Sequence, residues 1–94
     1  MSEQKYHYFQ DPGHGWIRVT KSKLVKLNIH EKISRYSYMK GTAVYLEEDS
    51  DAPKFLRALE KKGETYELIE HHTNRQSQIR NYHPYIPTPK EAEP

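Results

Sequence analysis

The stretch that decides the fold is YSYMKGTAVYLEEDSDAPKFLRALEKK, residues 36–62. Its β-formers Tyr36, Tyr38, Val44, Tyr45 and Leu46 flank Lys40-Gly41. Glycine reaches positive φ without a steric penalty, so a hairpin turning at Met39-Lys40-Gly41-Thr42 is expected. Alternation in the second strand puts Val44 and Leu46 on one face and Ala43 and Tyr45 on the other. The strand runs into Glu47-Glu48-Asp49-Ser50-Asp51. Ser50 or Asp51 can accept hydrogen bonds from the first N–H groups of a helix, and Pro53 suits its first turn. The acidic charge favours the positive end of the helix dipole. Ala52, Phe55, Leu56 and Leu59 then recur at three- and four-residue spacing, with Ala58 beside them, which predicts a helix with one apolar stripe. Lys61 and Lys62 close its last turn, and Gly63 is the expected C-cap.

Outward from this unit, Tyr6-His7-Tyr8-Phe9 reads as a strand ended by the turn tripeptide Asp11-Pro12-Gly13. Trp16-Ile17-Arg18-Val19 alternates and predicts a second strand. Thr20 or Ser22 can cap a short helix through Leu24, Val25 and Leu27. Asn28 suits a left-handed position after that helix, with Ile29 closing onto Leu24. Past Gly63, residues 65–69 predict a last strand with Tyr66 and Leu68 on one face. Residues 71–81 are polar, with Ile79 as their one apolar anchor, and residues 82–89 are proline-rich and extended. Residues 1–5 and 90–94 are expected to be loose ends. The order predicts a single α+β domain: a mainly antiparallel sheet of four to five strands with two helices on one face. The ordered core is expected over residues 6–72 and an extended C-terminal arm over residues 73–94.

Composition bounds the function. Ninety-four residues make a modest core, which eight tyrosines, two phenylalanines and one tryptophan must supply with bulky amphipathic rings. There are no cysteines, hence no disulfide and no thiolate metal site, in keeping with a reducing cytoplasm. No apolar run approaches the roughly 20 residues of a membrane span, and no secretory segment is apparent, so no membrane partner is expected. The formal charge of +2 permits nucleic-acid contact without arguing for it.

Four constellations carry chemistry. Asp11 to Trp16 packs glycine, histidine, aspartate and tryptophan into one turn, which is either a ligand loop or a tight turn whose tryptophan plugs the core. If Ile17 and Val19 face the helices, Trp16 lies on the opposite, more open face, where an exposed indole favours recognition. Glu47, Glu48, Asp49 and Asp51 do not match a calcium loop and are expected to serve the helix N-terminus. The six histidines, His71-His72 among them, lack a metal-ligand spacing, so no metal site is expected. Arg75, Arg80, Tyr82, His83 and Tyr85 form a basic-aromatic stretch that either cradles a nucleotide or wraps its own domain. Arg80, in this polar stretch, is expected to contribute little to the fold.

Asp11-Pro12-Gly13-His14-Gly15-Trp16, Ile33-Ser34-x-Tyr36-Ser37-Tyr38, Val44-Tyr45-Leu46-Glu47-Glu48-Asp49-x-Asp51 and Ile79-Arg80-x-Tyr82 together resemble a group of small uncharacterised proteins of bacteriophages and plasmids. The resemblance spans about residues 6–85. It implies a mobile-element accessory protein working in the cytoplasm of an infected bacterium. Such proteins commonly bind and inhibit a host factor, defence systems included, or sequester a nucleotide signal. The expected function is therefore a non-enzymatic binder of a host protein or small nucleotide ligand, without a cofactor and without catalytic residues. The binding residues expected are His14, Trp16, Tyr36, Tyr38, Arg80 and Tyr82, since aromatic and arginine side chains dominate interface hot spots and nucleotide cradles alike. One alternative is a nucleic-acid-binding accessory protein using the lysines of residues 21–26 and the arm, against which thirteen acidic residues nearly balance fifteen basic ones. Another is a small hydrolase using His14 with Asp49 or Glu48, for which no nucleophile motif is present. A homo-oligomer is compatible with any of these.

Overall fold

The computed structural model describes residues 4–87; residues 1–3 and 90–94 of the expected loose ends, and the last part of the arm from 88, lie outside them. Gln4 and Lys5, also expected to be loose, instead open β1 by pairing with Tyr66 and Glu67. The chain runs β1 (Gln4–Gln10), β2 (Gly15–Thr20), α1 (Lys21–Lys26), β3 (Tyr38–Lys40), β4 (Ala43–Glu47), α2 (Ala52–Lys61) and β5 (Tyr66–His72). A 3-10 turn (Gln78–Asn81) and a two-residue β6 (His83–Pro84) follow. The fold is α+β, built on one six-stranded sheet in the order β5-β1-β2-β4-β3-β6. Every neighbouring pair is antiparallel except β1 and β5, which run parallel with Tyr6 opposite Leu68.

The signals read from the central stretch act as expected at most positions. Lys40 pairs with Ala43, so the hairpin turns through Gly41-Thr42, and Gly41 holds the positive φ (61°) that the turn demands. The turn is one residue later than the expected Met39–Thr42, and β3 starts only at Tyr38, so Tyr36 stands in the preceding turn, 74% exposed. Thr20 Oγ1 caps α1 by accepting from Lys23 N–H at 3.1 Å. Asn28 takes φ 59°, with Asn28 N–H donating to Val25 and Ile29 N–H to Leu24 at 3.0 Å, the Schellman closure. The same motif ends α2, where Glu64 N–H reaches Leu59 C=O at 3.0 Å past Gly63.

One face of the sheet carries Ile17, Val19, Val44 and Leu46, and both helices pack there through Leu24, Leu27, Ala52, Phe55 and Leu59. Leu56 and Ala58 sit at the margin of this core, half-buried. The opposite face is not open. Trp16, Tyr45 and Ile79 form a second core there, flanked by Phe9, Tyr38 and Tyr82. The arm thus folds back over this face through Ile79, pairs β6 with β3, and then buries Tyr85 in the helix-side core. Two expectations are corrected by this. The sheet gains a sixth strand, and Trp16 lies on the predicted face but is only 1% exposed. A two-residue strand containing Pro84 has no alternation to read, which is why sequence patterning passes over it.

Candidate functional site

Two buried aspartates build the region. Asp11 was expected only to make a turn, and it does so by accepting Gly13 and His14 N–H at 2.9 Å each. Its carboxylate also takes Arg80 bidentately, Nε at 2.7 Å and Nη2 at 2.9 Å, and accepts Ser77 N–H at 2.9 Å. The Arg80 guanidinium, helped by the backbone donors of Ser77, His14 and Gly13, outweighs burial and holds the Asp11 carboxyl well below the usual carboxylate range. The Arg80 guanidinium also lies 5.6 Å from the centre of the Trp16 ring. Arg80 therefore ties the arm to the first turn, and the expectation that it contributes little to the fold is corrected.

Ser50 or Asp51 was expected to cap α2 with its side chain; Asp51 sits at the N-cap but makes no such bond, and the Ser50 hydroxyl goes to Glu47. Its fully buried carboxylate instead accepts Ser34 N–H (3.0 Å), Ser34 Oγ–H (2.7 Å), Ser37 Oγ–H and Lys54 Nζ (3.0 Å). Burial pushes this carboxyl up, but the hydrogen bonds from Ser37, Ser34 and Lys54 prevail and its pKa is lowered. Ser37 Oγ in turn accepts Glu47 N–H at 3.0 Å, and Ser37 C=O accepts Tyr85 N–H at 2.8 Å. The segment that presents Tyr36 is thus fastened to β4, to α2 and to the arm at once.

Glu47 ends β4 opposite Trp16. Its Oε1 accepts Asp49 N–H, Ser50 N–H and Ser50 Oγ–H, each at 3.0 Å, which folds the acidic stretch into a compact corner. Its Oε2 stands 3.4 Å from His14 Nδ1. Glu48 turns the other way and accepts the Tyr8 hydroxyl, whose pKa burial and that bond push up to about 12. The Tyr8 ring packs against Gly15 so closely that a Cβ there would come within 2.9 Å of ring carbons, so glycine is required beside His14.

These elements enclose a pocket of about 330 Å³. Its walls are His14, Trp16, Tyr36 and Tyr38, with Glu47, Asp49 and Ser50 along one side. Four of the six residues expected to bind thus meet in one place. Trp16 and Tyr38 contact edge-on with ring centres 6.4 Å apart, and His14 lies 6.1 Å from Trp16. The Trp16 indole N–H is buried with no hydrogen-bond partner among the described residues. The other two expected residues are not in the walls. Arg80 lies against Trp16, and Tyr82 packs on Tyr45 at 5.2 Å and takes Lys40 Nζ over its ring at 4.9 Å. Tyr82 lines a separate groove with Lys21, Lys40 and Gln78.

Sequence reasoning missed Glu47 and Ser50 as wall residues, because helix capping accounted for them; of the carboxylates it set beside His14, Asp49 lines the pocket and Glu48 goes to Tyr8 instead. The available signal was the strand end: alternation puts Glu47 on the face of Tyr45, hence on that of Trp16. His14 contacts the Glu47 carboxylate, and Ser50 donates its hydroxyl to the same group. Among the described residues no three His, Asp or Glu side chains converge as a metal-ligand set. No helix of the described residues is long and apolar enough to cross a membrane. No family model, no curated protein and no solved structure matches this chain.

Proposed function

We propose that this chain is a non-catalytic binding protein whose pocket at His14, Trp16, Tyr36 and Tyr38 engages a protein partner. The partner is a host factor of a bacterium carrying a mobile element, as the resemblance of the motifs to bacteriophage and plasmid proteins implies. The observation that supports the reading best is Tyr36. It is 74% exposed, makes no core contact, and is held at the mouth of a walled pocket by a segment anchored on buried Asp51. An exposed aromatic on a fixed support is the arrangement of an interface hot spot, because the partner buries the ring without ordering a loose loop. Affinity capture from infected cells tests this. Tyr36→Ala should lose a specific host protein that the parent chain retains, with an unchanged melting temperature. Equal capture by both would remove the reading.

A second reading has its own observation. Lys32, Arg57, Lys61 and Lys62, with Lys54 held by Asp51, wall a groove of about 400 Å³ between α2 and the segment that follows α1. Such a cluster suits phosphates, so a nucleic-acid partner would lie here and not on the arm, whose Arg80 is committed to Asp11. Lys23 of the sequence-expected lysine set is likewise paired, with Glu64 at 2.9 Å. Salt-sensitive binding to DNA or RNA, lost on Arg57→Ala with Lys61→Ala, would support this reading over the first.

A further inference from the structure

We infer that the pocket receives an organic cation, an ammonium or guanidinium head, carried on a lysine or arginine side chain of the partner protein. The inference rests on the binding reading above and names the chemistry of its occupant. Two of the walls are the electron-rich rings of Tyr36 and Tyr38, whose faces attract cations, and the buried Trp16, whose ring already carries the Arg80 guanidinium 5.6 Å from its centre, lines the pocket beside them. The remaining side carries two carboxylate residues, Glu47 and Asp49. Glu47 is fixed by three donors on Oε1 and keeps Oε2 turned toward His14. Rings on some walls and carboxylates on another make a cage complementary to a positive head with an alkyl stem.

The same walls disfavour the other ligand considered. A nucleotide would bring its phosphates against Glu47 and Asp49, where like charges repel. The Arg80 guanidinium over Trp16 is offset by the Asp11 carboxylate, which takes both its hydrogen bonds.

Trp16 is the single tryptophan, so its fluorescence and its indole N–H resonance report on the cage directly. The probes are N-acetyl-lysine methylamide, its trimethylated form, N-acetyl-arginine methylamide, choline, the uncharged choline isostere 3,3-dimethylbutan-1-ol, and AMP. The lysine and arginine amides should saturate the signal, and the uncharged isostere should bind about tenfold more weakly than choline. Asp49→Asn, whose side chain is exposed, should weaken the cations by roughly tenfold without shifting the melting temperature, and Glu47→Gln should do the same while keeping Oε1 as an acceptor. The inference is overturned if the isostere equals choline, if AMP binds best, or if both carboxylate variants leave cation binding unchanged. Choline binding without lysine or arginine binding would overturn the side-chain assignment. Its failure is separable from that of the binding reading: host-protein capture that depends on Tyr36 while no cation binds removes the cation alone.

Discussion

Replacing Asp51 with alanine tests how the pocket is supported. The carboxylate is fully buried and holds two groups that have no other recourse. These are the hydroxyl proton of Ser37, itself 0% exposed, and the Ser34 N–H. Ser34 Oγ and Lys54 Nζ lie nearer the surface and can turn to water. Each stranded buried donor costs about 1–3 kcal/mol, offset in part because the variant no longer desolvates a carboxylate. A net loss of about 2–4 kcal/mol follows. Urea denaturation at pH 7, followed by circular dichroism, reads this directly. Ser37→Ala removes the donor to Asp51 and the acceptor for Glu47 N–H, and should cost about 1–3 kcal/mol. The double variant should lose less than the sum, because both residues belong to one network. A loss below about 1 kcal/mol for Asp51→Ala, or strict additivity with Ser37→Ala, would refute the reasoning.

Trp16→Ala should destabilise the domain by about 3–5 kcal/mol, the usual cost of truncating a buried large aromatic, and the parent should emit with a blue-shifted tryptophan spectrum before any partner is added. A red, water-like emission would contradict the second core. Leu59→Ala should cost about 2–5 kcal/mol, whereas half-buried Leu56→Ala should cost only about 1 kcal/mol, compared by thermal melts. Asp11 and Asp51 have folded pKa values below their unfolded ones, so their stabilisation is complete above about pH 4 and declines as pH falls through the folded values. Melting temperatures taken from pH 7 down to pH 2 should fall steeply at the acid end, and less steeply in Asp51→Ala.

The elements legible in the sequence are those written in local chemistry. Thr20, Asn28 and Gly63 mark helix ends, Gly41 marks the hairpin, and alternation assigns Ile17, Val19, Val44 and Leu46 to the helix-covered face. What stayed hidden depends on pairings across long stretches of chain. Asp11 reads as a turn residue until Arg80 is brought to it, and Asp51 reads as a cap until Ser34 and Ser37 arrive. Trp16 illustrates both halves. Its face follows from period two, but its burial depends on Ile79 and the arm, a polar stretch with nothing periodic in it. The pocket was legible to the extent that aromatic residues flanking turns attract notice. Its carboxylate side was not, because an acidic run before a helix already had a sufficient explanation in the helix dipole.

The parallel pairing of β1 with β5 has a consequence for how the protein is made. Among the described strands β1 comes first in the chain, yet one of its two neighbours is β5, about sixty residues further on. During synthesis β1 can hydrogen-bond to β2 alone, leaving its other edge bare until the α2 connection has emerged and His72 is clear of the ribosome. Pairings between such distant segments close slowly, because the entropy of a long loop is lost before any contact compensates for it. The nascent chain therefore passes through a stage with a hairpin edge unsatisfied and the helix-binding face of the sheet uncovered. An unpaired edge and bare apolar surface are what chaperones engage and what drives aggregation. Yield in a cell should accordingly respond to chaperone supply and growth temperature more than the stability of the finished domain would suggest.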